Sequence, residues 1–281
     1  MVQSRRAQDP RPSRTVEWHH ARAGQYRIQC LQAYRRFRGT EIPWEDESDL
    51  AGATEQIVKS SRSRKVVKLA AGHFGTPLEL YVKRYRLKTW YGPCLRLVRR
   101  SRAREEFDLG WALIDAGIST PRPVWLAEQS GPLRRYSLIA TEAIPGVETV
   151  LERWRRLHGE QERAELLSAV ARFLRQLHER GFYHDDCKSG HVLVRLHAPS
   201  SPSSFYILDL LGGRLRTSVS DFSRGKNLYQ MLRHFIPRRG SVGFLPAHRE
   251  IFLEAYGGSA AEAARWGRWV KRIGRLKGRV L

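Results

Sequence analysis

The chain has 281 residues, with 41% hydrophobic and 10% aromatic residues, enough apolar material to bury a large core and too much for a disordered chain. Fifty Lys and Arg against 28 Asp and Glu give a formal charge of +22, which favours an anionic partner: nucleic acid, an acidic membrane or a phosphorylated glycan. No apolar run approaches the roughly 18 residues a membrane span needs, the Arg-rich N-terminus has no apolar core of a secretory signal, and three widely spaced cysteines, Cys30, Cys94 and Cys187, set no disulfide or CxxC pattern, so the expected compartment is the cytoplasm.

Residues 1–24, with Arg5, Arg6, Pro10, Arg11, Pro12 and Arg14, read as a basic flexible tail or a short peripheral element. The body begins with two strand-like segments, Gln56 to Lys59 and Lys65 to Leu69, which flank the polar stretch Ser60 to Arg64 and predict a hairpin. A third strand, Leu78 to Lys83, follows. A helix is predicted from about Leu95 to Ala116, closed by Gly117, and two more strands at Val124 to Ala127 and Tyr136 to Ala140. After Gly146 the pattern turns helical. Leu166, Leu167, Val170, Phe173, Leu174 and Leu177 recur at three- and four-residue steps and mark one buried face of a helix ended by Gly181. Short strands at Val192 to Val194 and Phe205 to Leu208 precede a helical remainder that starts near Asp221 and carries a loop around Pro237 to Pro246. Strands first and helices second, joined near Thr141 to Gly146, make an α+β, two-lobed plan. Its expected parts are a nucleotide-binding N-terminal lobe over 25–141, a catalytic C-terminal lobe over 142–258 and a basic amphipathic helix over 259–281.

The segment Gly181 to Val194 carries the chemistry. Phosphoryl transfer needs a carboxylate to orient the acceptor hydroxyl, a cation on the moving phosphate and a metal ligand nearby. Asp186, Lys188 and His191 offer these within one loop, and Asp209 follows the next apolar strand, where a second metal ligand would fall. A zinc site from His184, Cys187 and His191 is the competing reading of the same loop.

Here the sequence resembles the protein-kinase-like superfamily, whose catalytic loop reads H-R-D-L-K-x-x-N. His184, Asp186 and Lys188 fall on its His, Asp and Lys. Asp185 stands where Arg is usual, so no activation-loop phosphate is expected to be gripped, and His191 stands where the metal-binding Asn is usual. Asp186-Cys187 followed by His191 and apolar residues looks like the lipopolysaccharide core heptose kinase family (WaaP/RfaP type). Arg104-Glu105-Glu106-Phe107 with Leu113 and Ala116 to Pro121, Ala140-Thr141-Glu142, Leu208-Asp209-Leu210 and Phe252 to Tyr256 resemble the same family, over roughly 55–258.

The resemblance implies a bilobal protein-kinase-like fold: a small N-terminal β-sheet lobe with one main helix and a larger, mostly helical C-terminal lobe. It implies ATP and Mg²⁺ as cofactors. It also implies Lys83 on the α- and β-phosphates, Glu106 as its helix partner with Glu105 as competitor, and the Thr141 to Ile144 backbone, including Glu142 and Ile144, on the adenine. Asp186 would be the catalytic base, Lys188 the charge on the moving phosphate, and Asp209 with His191 the metal ligands. Two features depart from the superfamily: the usual D-F-G is Asp209-Leu210-Leu211-Gly212, and Ser60 to Arg64 has no glycine. The implied activity is phosphorylation of a sugar hydroxyl on a lipid-linked anionic glycan, the lipopolysaccharide inner-core heptose first. A Kdo or other small-acceptor kinase and a membrane-bound pseudokinase scaffold are the alternatives, and no recognised nucleic-acid motif is present. In the last helix Trp266, Trp269, Val270, Ile273 and Leu276 share a face opposite Arg265, Arg268, Lys271, Arg272, Arg275 and Lys277. That pattern fits either a helix lying on the cytoplasmic face of the inner membrane or one docked on the larger lobe with its basic face outward.

Overall fold

The structure is a computed structural model that describes residues 17–42, 55–87, 100–130, 135–196, 204–235 and 245–278. The chain divides into two compact units, one of residues 1–115 and 121–143, the other of 116–120 and 144–281. The fold is mixed α and β, as expected.

The first unit is built on a seven-stranded antiparallel sheet of β1 (Trp18–Ala23), β2 (Tyr26–Leu31), β3 (Glu55–Ser61), β4 (Arg64–Leu69), β5 (Leu80–Arg86), β6 (Pro123–Gln129) and β7 (Tyr136–Glu142), in the order β1-β2-β6-β7-β5-β4-β3. Helix α1 (Arg102–Asp115) packs on β5, β6 and β7. The tail expected to run to residue 24 is corrected over its described part. Trp18–Ala23 is a strand, paired with Tyr26–Leu31 through a two-residue turn whose Gly24 has φ 52°. As an edge strand β1 is only half-buried, with His20 and Arg22 exposed, so it carries no apolar run that marks it in sequence. The predicted β3–β4 hairpin is present, with Ser61 opposite Arg64. It turns without glycine: the Ser61 hydroxyl accepts from the Arg64 N–H (3.2 Å) and donates to the Arg64 carbonyl (3.0 Å). The portion of the predicted helix from Leu95 to Arg99, residues 1–16 of the tail, and residues 237–244 of the late loop lie outside the described residues.

The second unit holds β8 (Val147–Thr149), α2 (Val150–Arg156), α3 (Glu160–Glu179), β9 (Phe182–His184), β10 (Val192–Arg195), β11 (Phe205–Ile207), β12 (Gly213–Leu215), α4 (Asp221–Phe235), α5 (Pro246–Gly257) and α6 (Ala260–Leu276). All six apolar residues read as the inner face of α3 are at most 2% exposed. Each such side chain stabilises by roughly 1.5–3 kcal/mol relative to an exposed one. α3 packs on α5, and α6 on α4 and α5. Strands β8, β10 and β11 form one small sheet, and β9 pairs with β12.

Helix α6 takes the docked form. Trp266, Val270 and Ile273 are buried, with Trp266 edge-on to Tyr256 at 5.2 Å, so most of the face expected to enter lipid is covered by protein, while Trp269 is half-buried and Leu276 is exposed. Arg268, Lys271, Arg272, Arg275 and Lys277 are exposed. No described helix is long and apolar enough to cross a membrane.

Candidate active site

In the first unit, strand β5 places Lys83 between Val66 of β4 and Ile139 of β7. Neighbours on both sides fix the direction of its side chain. Its ammonium donates to Glu106 on α1, whose carboxylate is 3% exposed and also accepts from the Tyr85 hydroxyl at 2.5 Å. Glu105 is exposed. Consecutive helical residues point about 100° apart, so only one of the two glutamates can face the sheet, and it is Glu106. The helix is held in that phase from several sides. Trp18 of the unforeseen hairpin lies 5.4 Å from both Phe107 and Trp111, and Arg104 reaches Gln29 (2.7 Å) and Glu128 (3.2 Å).

At the end of β7 the Glu142 carboxylate accepts from the Tyr34 hydroxyl (2.7 Å) and, in a fork, from Arg122 (3.0 and 2.5 Å). Burial first, then the Glu142 carboxylate, pushes the Tyr34 hydroxyl up. The Glu142 N–H donates to the Arg122 carbonyl and the Ala143 N–H to Glu79. The expectation that this stretch offers its groups to a ligand is therefore narrowed: the Glu142 side chain and two of the amides are tied within their own unit. Ile144 begins the other unit and is half-buried.

In the second unit the sequence Gly181 to His191 folds as a short strand, an exposed turn and a single 3₁₀ turn. Gly181 (φ 82°) is obligatory, because a Cβ there would lie 1.8 Å from the Arg216 carbonyl oxygen. His184 is buried and organises the loop. Its Nδ1 accepts from the Asp186 N–H (3.0 Å), which leaves Nε2–H to donate to the Asp209 carbonyl (2.7 Å). One imidazole thus fixes the backbones that carry both aspartates. Asp209 adopts φ 54°, a left-handed conformation that L-residues other than Asn and Asp rarely take. The four-residue Asp209 to Gly212 turn absorbs its extra residue by burying Leu210, whose carbonyl accepts from Gly213 (2.8 Å), while the Gly212 carbonyl accepts from Asp185 (3.1 Å).

Asp186 projects outward, 56% exposed, with the Lys188 ammonium 2.5 Å from its Oδ2. Burial pushes this carboxyl up, but the hydrogen bond from Lys188 and the charge of that lysine outweigh it and the net shift is downward. Asp186 is therefore ionised at neutral pH and can accept a hydroxyl proton in a hydrogen bond. Burial pushes His191 down to about 4, so its imidazole is neutral. Its Nδ1 lies 3.0 Å from the Asp186 carbonyl, which makes Nδ1 the protonated nitrogen and leaves the Nε2 lone pair directed toward Asp209 Oδ2 at 3.6 Å. Two electron-pair donors at that separation fit one divalent cation, since ligands about 2.1 Å from a common ion lie at most about 4.2 Å apart. Asp209 and His191 would hold the ion.

The zinc reading of this loop does not hold. Cys187 is buried, its thiol pushed up to about 12 by burial and then by Asp186, and no cluster of three or more metal-ligating side chains occurs among the described residues.

Sequence reasoning missed the residues that grip this loop from α4. Asn227, 1% exposed, donates to the His184 carbonyl (2.6 Å) and accepts from the His184 N–H (3.3 Å). Gln230 donates to the Asp185 carbonyl (2.6 Å), and Lys226 pairs with the Asp185 carboxylate (3.1 Å). Asp185, in the position usually held by Arg, is thus engaged by a cation of its own unit. Behind Asn227, His178 closes the line: its Nε2 lies 3.2 Å from Asn227 Oδ1 and its Nδ1 2.8 Å from the Tyr256 hydroxyl. The only signal in the sequence was a polar residue on the apolar stripe of α4, which is weak without its partners.

The chain is similar to the lipopolysaccharide core heptose(I) kinase WaaP of Pseudomonas aeruginosa, 29% identical over 171 residues that make up 55% of this chain and 64% of that protein. The alignment thus spans less than two thirds of that relative. The solved structure of WaaP in complex with acyl carrier protein superposes with a TM-score of 0.53 at 21% identity, over 79% of this chain and 88% of that one, and shows the shared fold. Residues 49–256 match the model of the lipopolysaccharide kinase (Kdo/WaaP) family, and the chain belongs to that family.

Proposed function

We propose that the chain is an ATP-dependent kinase that phosphorylates a sugar hydroxyl of a lipid-linked anionic glycan, with lipopolysaccharide inner-core heptose as acceptor. The observation that carries this reading is the ionised Asp186 with Lys188 at 2.5 Å, on a loop that His184 ties to Asp209. Asp186 orients the acceptor hydroxyl and takes its proton late. Lys188 offsets the charge of the moving phosphoryl group. Lys83, aimed by Glu106, holds the α- and β-phosphates, and the carbonyl of Glu142 with the amide of Ile144 serves the adenine. Mg²⁺ at Asp209 and His191 would supply charge neutralisation for the bound triphosphate. The exposed basic face of α6 favours a site of action at the cytoplasmic face of the inner membrane, by attraction to anionic headgroups and not by insertion.

The features that suggested a pseudokinase are each accommodated by the fold. The glycine-free β3–β4 turn is well formed, Asp185 is paired with Lys226, and the displaced Gly212 is accommodated. Transfer of labelled γ-phosphate from ATP to purified core heptose, Kdo and unrelated sugar acceptors tests the proposal. Wild type is expected to label the heptose acceptor, and Asp186→Ala to lose about 10²–10⁴-fold in turnover with an unchanged melting temperature. Preferential labelling of Kdo would move the acceptor assignment, and ATP binding without any transfer would overturn the kinase.

A further inference from the structure

The position after Lys188 that usually carries an asparagine carries His191, and its geometry is set by the fold. The ring is only 13% exposed and its Nδ1 is spent on the Asp186 carbonyl, so the single donor atom it can offer a cation is Nε2. An asparagine here would offer an amide oxygen, a hard donor that suits Mg²⁺. An imidazole nitrogen is a softer donor that suits the first-row transition metals. The carboxylate of Asp209, 3.6 Å away, serves either kind of ion. The two residues differ in how they are held. Asp209 is pinned by His184 only at its backbone carbonyl, whereas His191 is held through its own ring and cannot turn Nε2 away without breaking a hydrogen bond.

We propose that His191 is a metal-specificity residue: through a fixed Nε2–metal bond it biases the Asp209 site toward Mn²⁺ and its softer neighbours over Mg²⁺. This rests on the kinase reading, because it assigns the ion to the nucleotide-binding machinery. The consequence is a shifted preference and not a new requirement. Mg²⁺ still binds at Asp209 and His191 with water and the phosphates, but it gains less from the imidazole than Mn²⁺ does.

The test does not depend on turnover. The full chain is loaded with Mn²⁺ and ADP and studied by pulsed electron paramagnetic resonance, which detects nitrogen bonded to Mn²⁺. Nitrogen modulation is expected in the wild type. It changes character when the protein carries ¹⁵N-histidine, which separates imidazole from adenine, and disappears in His191→Asn. In parallel, calorimetry of Mn²⁺ and Mg²⁺ binding in the presence of ADP is expected to give a Mn²⁺:Mg²⁺ affinity ratio about tenfold higher for wild type than for His191→Asn. Near-equal melting temperatures for the two proteins confirm that the comparison concerns the ligand and not the fold. Mn²⁺–ADP binding with no histidine-derived modulation, or an affinity ratio unchanged by the substitution, would overturn the proposal and leave the kinase reading intact. Failure to bind Mn²⁺, Mg²⁺ or ADP would overturn both.

Discussion

Lys83 with Glu106 and Asp186 with Lys188 are both lysine–carboxylate pairs, and they are built in opposite ways. The first is almost dry: the carboxylate is 3% exposed and the lysine side chain 15%, with Tyr85 on the second carboxylate oxygen. The second is open to water: Asp186 is 56% exposed and Lys188 30%. What is fixed differs accordingly. In the first pair the side chains themselves are locked, by a sheet on one side and a helix clamped by Trp18 and Arg104 on the other. In the second the backbone is locked, by His184, Asn227 and Gln230, while the side chains stay free to exchange one partner for another. A group that must grip a substrate throughout a reaction needs its direction set beforehand. A group that must pass from a lysine to a substrate hydroxyl needs a rigid base and a loose tip.

Removing one partner from the dry pair breaks this contrast most severely. Glu106→Ala strands the Lys83 ammonium and is expected to cost about 3–5 kcal/mol in chemical denaturation. Lys188→Ala, on the exposed pair, is expected to cost under about 1 kcal/mol. Equal losses in the two variants would show that the pairs are not built differently after all.

Asn227→Ala attacks the base of the loose pair. It leaves the buried N–H and carbonyl of His184 unsatisfied and should cost about 2–3 kcal/mol. Turnover should fall further than the population of folded protein can account for, with ADP affinity nearly unchanged. A variant whose activity merely tracks its folded fraction would reduce Asn227 to a core residue.

A more gradual effect is a pH dependence on the line behind the loop. Burial pushes His178 down to about 4. In the unfolded chain a histidine titrates near 6.5, so between about pH 6.5 and 4 the unfolded state binds the extra proton. This contribution to stability is therefore present above pH 6.5 and is lost as pH falls toward 4, by about 1.4 kcal/mol at pH 5.5. Denaturation of wild type against His178→Gln across this window should show a steeper slope in the former, since His191 contributes to both; parallel curves would place His178 in contact with water.

How far the sequence could be read follows from how local each signal is. The catalytic loop was legible because His184, Asp186, Lys188 and His191 lie within eight residues and each spacing is set by a single turn of chain. The inner face of α3 was legible because helical periodicity repeats every three or four residues. Asn227 was not, since its partner His184 lies 43 residues away and nothing in the α4 sequence says which polar residue turns inward. The N-terminal hairpin was hidden because its edge strand has no apolar run, although its Trp18 holds the helix that carries Glu106.

The sequence by itself determined the chemistry: which groups can accept a proton, carry positive charge or bind a cation, and their order along the chain. Only the tertiary structure decided which of Glu105 and Glu106 meets Lys83, that Trp266, Val270 and Ile273 of α6 are covered by protein, and that the His191 imidazole offers Nε2 and not Nδ1. Those choices depend on the rotation of a helix, the partner of a face and the hydrogen bond on the far side of a ring. Each is a relation between segments distant in sequence or between a side chain and a backbone group, and no spacing within one segment encodes it.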